Sequence, residues 1–190
     1  SVLSTPHLLE GRDAASTVLV VIGPERRYDP SEAASVVQFL RAGGTVLLAD
    51  ESGFGSDVAR EAGYAFSSQR VLDTQNYRND PKLVVATARL EGVDHRVVLN
   101  APATIVPLSN AQAGDVIASS STPKPPLEGS YLDANGDGEI QVGDEPGPFP
   151  LMVRTHVGSG TLVLVADTGL FMNDQLGLPE FDNARFVRAL

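Results

Sequence analysis

Gly44-Thr-Val-Leu-Leu-Ala-Asp50 and Gly160-Thr-Leu-Val-Leu-Val-Ala-Asp167 decide the reading of this chain. Each opens on Gly-Thr, runs through aliphatic residues without polar alternation, and stops at Ala-Asp. An unbroken apolar run is buried on both faces, the condition of a strand in a parallel sheet covered by helices. Ligands of such sheets sit beyond the carboxyl ends of the strands. Asp50 and Asp167 are therefore candidate ligand-binding residues, with Ser52 beside the first.

Working outward, Thr17-Val-Leu-Val-Val-Ile-Gly23 is a β-branched run that reads as the first central strand. Asp29-Pro30-Ser31-Glu32 then starts a helix, with Asp29 as cap, Pro30 in the first turn and Glu32 completing a capping box. Ala33, Val36, Val37 and Leu40 recur at helical spacing until Gly43-Gly44 ends it. Strand, helix and strand make a βαβ unit with a right-handed crossover. Residues 1–16 read as an entry strand or helix.

Beyond Asp50, Ser56 to Ala62 predicts a short helix stopped by Gly63. Leu83–Leu90, Arg96–Asn100 and Ala103–Leu108 are short strand-like runs with no helix between them, which suggests an antiparallel extension. Pro102 and Pro107 mark edges there. Phe149 to Val157 and Gly160 onward form a hairpin, and Phe181–Leu190 is a closing helix whose Phe181, Ala184, Phe186 and Val187 cover the sheet. The expected fold is α/β, a three-layer domain with a mainly parallel central sheet and an antiparallel extension.

The 190 residues fit one domain, 1–190, with a long excursion at 122–148. Net charge is -10, from 24 acidic against 14 basic residues, with no basic cluster longer than Arg26-Arg27. A nucleic-acid or anionic-membrane surface is not expected. The chain has no cysteine. Disulfides, thiolate metal sites and cysteine nucleophiles are excluded together. No apolar stretch reaches the ~20 residues that span a bilayer. A start at Ser1 without methionine and an end inside a helical pattern suggest a domain cut from a longer, membrane-anchored protein.

The sharpest chemical motif is Asp133-Ala-Asn135-Gly-Asp137-Gly138-Glu139-Ile140-Gln-Val-Gly-Asp144. It matches the twelve-position calcium loop, with oxygen side chains at positions 1, 3 and 5, a turn glycine at 6, a backbone carbonyl at 7 and a carboxylate at 12. The expected Ca2+ ligands are Asp133, Asn135, Asp137, Glu139 through its carbonyl, and Asp144, with Glu145 assisting the short Asp144. Pro125-Pro126 and Pro146-Gly147-Pro148 forbid long flanking helices. The reading is a structural clamp of extracellular-type affinity, roughly 0.1 to 1 mM. The plainer alternative is an Asp/Asn/Gly turn without an ion.

Ser52 is placed to act as a nucleophile, and its base would have to be His7, His95 or His156. His95 and His156 read as surface or edge residues. A Ser52/His156/Asp167 triad and an Asp50/Asp167 acid–base pair are the catalytic alternatives. Strand-end aspartates more often cap the next turn. Asp182-Asn183 reads as a stabiliser of the last helix.

Taken over nearly its whole length, the chain resembles a family. The matching residues are Val18-Leu-Val-Val-Ile-Gly-Pro24, Phe39 through Asp50, Ser130 through Gly138, Glu145-Pro-Gly-Pro-Phe-Pro150, Val157 through Asp167 and Asp182-Asn183. They are similar to uncharacterised class I glutamine amidotransferase-like domains, of the DUF4350 type, in archaeal and bacterial envelope proteins. These in turn are distantly similar to gliding-motility transporter subunits and an intraflagellar-transport component. The resemblance implies a flavodoxin-like or Rossmann-like sheet in a membrane-tethered domain on the extracellular or envelope side. It departs from true amidotransferases in lacking both their cysteine and any G-x-S-x-G elbow. The expected function is a non-catalytic, calcium-stabilised binding or scaffold domain with envelope or membrane-protein partners. The alternative is a hydrolase using Ser52 or the carboxylates Asp50 and Asp167.

Overall fold

The computed structural model describes residues 9–190. The first half of the expected entry element, with His7, lies outside the described residues; its second half is a single 3-10 turn, Ala14–Ser16. The strands are β1 (Val18–Ile22), β2 (Thr45–Ala49), β3 (Tyr64–Phe66), β4 (Arg70–Asp73), β5 (Tyr77–Arg78), β6 (Asp80–Leu90) and β7 (Val93–Asn100). They continue with β8 (Ile105–Pro107), β9 (Gly114–Ser119), β10 (Ser130–Asp133), β11 (Glu145–Pro146), β12 (Pro150–Val157) and β13 (Gly160–Val165). The α-helices are α1 (Pro30–Arg41), α2 (Ser56–Ala59), α3 (Asn173–Leu176) and α4 (Asn183–Ala189).

The opening unit forms as its residues dictate. Asp29 accepts from the backbone N–H of Ser31 and Glu32, both at 2.9 Å, while Glu32 accepts from the N–H of Asp29 at 3.1 Å. This reciprocal box starts α1, which buries Val36, Val37, Phe39 and Leu40. β1 and β2 then pair in parallel from Val18 opposite Thr45 to Ile22 opposite Ala49.

The three-layer flavodoxin-like or Rossmann-like expectation is overturned. The main sheet has five strands in the order β1-β2-β13-β12-β9, and only β1–β2 and β2–β13 are parallel. β12 runs antiparallel to both β13 and β9. Three small antiparallel sheets accompany it, β11-β10-β4, β3-β8 and β5-β6-β7. The molecule is mostly β, because the chain between β2 and β12 supplies only the four-residue α2 before Gly63 turns it. A parallel crossover needs a dozen or more residues of connection, usually a helix. The later strands instead pair antiparallel, some with the next strand in sequence, as β6 with β7 and β12 with β13, and others across longer loops, as β3 with β8 and β4 with β10.

Two cores flank the main sheet. On one side α1 and α2 cover Val46, Leu48, Leu162 and Leu164. On the other, Leu47, Ala49, Val163 and Val165 pack with the inward residues of β6 and β7, Ala86, Ala88, Val97 and Leu99, and with Phe186 of α4. A hairpin thus occupies the face that a doubly wound sheet gives to helices. β2 and β13 are buried on both faces, as their unbroken apolar runs require. β1 is not the central strand expected: it lies at the edge, and Val18, Val20 and Ile22 stay 60%, 53% and 45% exposed.

The shared Gly-Thr opening also has a physical cause. A Cβ on Gly160 would land on the carbonyl oxygens of Leu40 and Gly44, and one on Gly44 would land on the Phe39 ring. Glycine lets the end of α1 cross tightly over the starts of β2 and β13. No helix of the described residues is long and apolar enough to cross a membrane.

Candidate functional site

The strand ends do bring Asp50 and Asp167 to one end of the sheet, but local geometry commits both. Asp50 is buried, and its carboxylate accepts from the N–H groups of Ser52 at 2.7 Å and Gly55 at 2.6 Å. That closes the loop into α2. Asp167 accepts from Gly169 at 2.8 Å, Leu170 at 3.0 Å and, across the fold, Asn100 of β7 at 3.0 Å. Glu51 joins the two loops, accepting from the N–H and hydroxyl of Thr168, both at 2.8 Å.

Burial pushes the Asp167 carboxyl up to about 7; the Asn100 and Gly169 N–H bonds oppose this, and the nearby charge of Glu51 adds to it. Tyr28 is pushed up to about 12, first by burial and then by the charges of Glu32 and Asp50.

Ser52 is exposed, and no histidine or carboxylate of the described residues bonds to its hydroxyl. His156 is on the exposed side of β12 with Nδ1 3.2 Å from the Gly160 carbonyl. His95, expected at a surface or edge, is buried and stacks edge-on against Phe186 at 5.7 Å. The triad Ser52/His156/Asp167 is not assembled, since each member is bonded or oriented elsewhere.

The metal-binding reading of the 133–145 loop is likewise corrected. Among the described residues no group of three or more His, Cys, Asp or Glu side chains is gathered to hold a metal ion. The loop oxygens face backbone donors instead. Asp133 accepts from Gly136 at 2.7 Å and Gly138 at 2.9 Å, and Asp137 from Glu139 at 2.9 Å. Asp144 accepts from Gln141 at 2.9 Å, and the Asn135 side chain donates to Asp137 at 2.8 Å. Glu139 and Glu145 are exposed. Asp137 is held below the usual carboxylate range by the Glu139 N–H first and by Asn135 next. Such short side chains compete for nearby backbone donors wherever turns leave them free.

With this geometry in view, the family follows from the sequence model of a domain of unknown function, DUF4350, which matches residues 3–190. The chain belongs to the DUF4350 family. No curated protein matches this DUF4350 domain in sequence. Among solved structures it is similar to the mmIFT52 N-terminal domain, with a TM-score of 0.67 at 16% identity, covering 97% of this chain and 77% of the other. That likeness speaks for the fold. Lesser similarities are to the exo-beta-1,4-mannosidase Op5Man5 from Opitutaceae bacterium strain TAV5 (TM-score 0.49, 14% identity, 91% of this chain and 25% of that one). A cytoplasmic protein of Salmonella typhimurium LT2 gives a TM-score of 0.49 at 11% identity over 98% of this chain and 70% of the other.

Several anchoring residues of the DUF4350 domain escaped the sequence reading. Asp73 is fully buried and accepts from the N–H of Gln75, Asn76 and Ser121 and from the Ser121 hydroxyl at 2.7 Å. It ties β4 to the segment that leaves β9. Asp182 and Asn183 do more than end a helix: Asp182 accepts from the Arg96 N–H at 3.0 Å and Asn183 from that of Val98 at 2.9 Å. With Asp167 on Asn100, three side chains satisfy three successive outward N–H groups of β7. The one legible signal was the acid–amide pair itself; its partner strand lies some 85 residues away.

Proposed function

We propose that this domain is a non-catalytic binding or scaffold module of an envelope or membrane-anchored protein. The observation that carries the reading is the commitment of Asp50, Glu51 and Asp167 to backbone and hydroxyl donors at the strand ends. A general acid or base must reach a substrate proton, and an activated serine needs a base within hydrogen-bond distance. Here the carboxylates fasten loops, and among the described residues no base bonds to the Ser52 hydroxyl. Kinship with glutamine amidotransferases that have lost their cysteine belongs to this proposal. It is supported by the β1–α1–β2 unit with its parallel strand pair.

The test is turnover of chromogenic esters, amides and glycosides by the chain and by its S52A and D50N variants. Equal background rates in all three sustain the proposal. A rate that vanishes in either variant replaces it with the hydrolase reading. Protease shaving of intact cells producing the full-length protein tests the location, since an envelope-facing domain is cut without lysis.

A further inference from the structure

β6 pairs with β7 along its whole length, but on its other side β5 reaches only as far as Val84. Just past that pair, Val85 gives its N–H to the Asn76 carbonyl at 2.8 Å. Val85 stands opposite Val98, whose own N–H goes outward to Asn183, so both members of this pair bond away from the hairpin. Two residues on, Thr87 stands opposite Arg96, whose N–H goes outward to Asp182. The two-residue period of a strand therefore turns the Thr87 peptide outward like that of Val85, and among the described residues nothing bonds to it.

A cleft of about 430 Å³ opens at that point, between β6 and the end of β9. Buried Asp73 fixes both of its walls. The carboxylate holds the N–H groups of Gln75 and Asn76 on one wall, and the N–H and hydroxyl of Ser121 on the other. The side chains that line the cleft are not used in this way. Those of Gln75, Asn76, Tyr77, Thr87 and Ser119 make no hydrogen bond among the described residues. Two amides and three hydroxyls are thus held on rigid walls around an open peptide. Leu9, the first described residue, packs with the α1 core, across the main sheet from the hairpin that walls the cleft.

We infer that this cleft binds a neutral saccharide of disaccharide size. Pockets for apolar ligands are lined mainly by hydrophobic and aromatic side chains, with a few polar groups among them. Here the proportion is reversed. Val85 and Ala86 are buried in the hairpin, and the Tyr77 ring, 44% exposed, is the one broad apolar surface in the lining. Amides and hydroxyls both donate and accept, as the hydroxyls of a sugar do, so the two sets match in kind. The Tyr77 ring offers an apolar face to the C–H side of a pyranose. Charge argues against an anion. Arg96 is the single ionic side chain in the lining, and its guanidinium is already engaged, 4.7 Å from the centre of the Phe181 ring and with Nη1 donating to the Glu180 carbonyl at 3.5 Å. Glu180 and Asp182 place negative charge beside it, which offsets its pull on an anionic ligand. The cleft shares no residue with the strand ends at Asp50, Ser52 and Asp167, so binding there and inertness at Ser52 are separate properties.

Titration of the isotope-labelled full chain with maltose, cellobiose, lactose and mannobiose, followed through its amide resonances, tests this. At least one sugar should move the amides of Asn76, Thr87 and Ser119 together, with a Kd on the order of 1 mM. The double variant N76A/S119A removes an amide and a hydroxyl that bond to nothing in the native fold. It should melt as the parent does and bind that sugar about tenfold more weakly. T87V, at an exposed strand position that valine fits, gives a second reading of the same loss should the double variant melt lower. The uronate counterpart of the sugar, with a carboxylate in place of a hydroxymethyl group, should bind no more tightly. No movement of these amides with any of the four sugars at about 50 mM overturns the assignment. So does parental affinity in the variants, or a uronate that binds about tenfold tighter than its neutral parent.

Discussion

Asn183 holds the peptide of Val98 by both its groups: Asn183 Oδ1 accepts from the Val98 N–H and Asn183 Nδ2 donates to the Val98 carbonyl, each at 2.9 Å. Asn183 and Val98 are both fully buried. One amide side chain therefore does for β7 what a neighbouring strand would do, and it docks α4 against the hairpin. Removing it leaves a buried donor and acceptor unpaired, which costs about 3 kcal/mol. N183A should lower the urea midpoint accordingly and speed amide exchange at Val98 before it speeds exchange in β2. A loss below about 1 kcal/mol would mean that β7 finds another cover.

Asp167 links the same strand to pH. Its folded value of about 7 lies above the unfolded 3.8, so between these pH values the native state holds a proton that the unfolded chain releases. The stability this contributes is complete below about pH 4 and is lost as pH rises through 7, a change on the order of 4 kcal/mol. D167N mispairs with three N–H donors and should be less stable than the parent at pH 5. Its stability should nonetheless fall less between pH 5 and 8. Parallel pH profiles for the two proteins would assign the slope to other groups.

For the 133–145 loop, the bonds from Asp133 to Gly136 and Gly138 are formed by the chain's own atoms. D133A should cost about 1–3 kcal/mol in a melting experiment run with excess EDTA. If the variant and parent melt together in EDTA and part only when calcium is added, the backbone bonds are not what shapes the loop.

At Gly160 the helix leaves no room. G160A must push the end of α1 away from the sheet, and overpacking of this kind costs about 3 kcal/mol. Gly158, in the hairpin turn just before Gly160 with φ 62, offers a comparison, because alanine there is opposed by backbone strain as well as by Arg41. Thermal unfolding of both variants should show marked losses; a neutral G160A would mean that α1 is loosely seated.

Much of the fold was legible because its signals are local. The capping box at Asp29, the helical spacing of Val36, Val37 and Leu40, and the doubly buried runs of β2 and β13 need only neighbouring residues to be read. The antiparallel pairing of β6 with β7 followed from short strands with no helix between them. Architecture was misread because an apolar run states only that both faces are covered, and does not say by what. At Leu47 and Val163 the cover is a hairpin, where a flavodoxin-like sheet would have a helix. β1 was misplaced for a related reason, since Val-Leu-Val-Val-Ile has the same composition at an edge as in the middle.

The candidate site shows the same limit. Sequence alone determined that this chain offers no cysteine chemistry and that Asp50 and Asp167 stand at strand ends; it read residues 133–144 as a calcium loop, with an ion-free turn only as the alternative. Only the tertiary structure decided what those oxygens face. Asp167 meets the Asn100 N–H and Asn183 meets Val98 across separations of 67 and 85 residues. A carboxylate's role follows from the donors that reach it and the water it has lost. Both are properties of packing between distant segments, which no local pattern encodes.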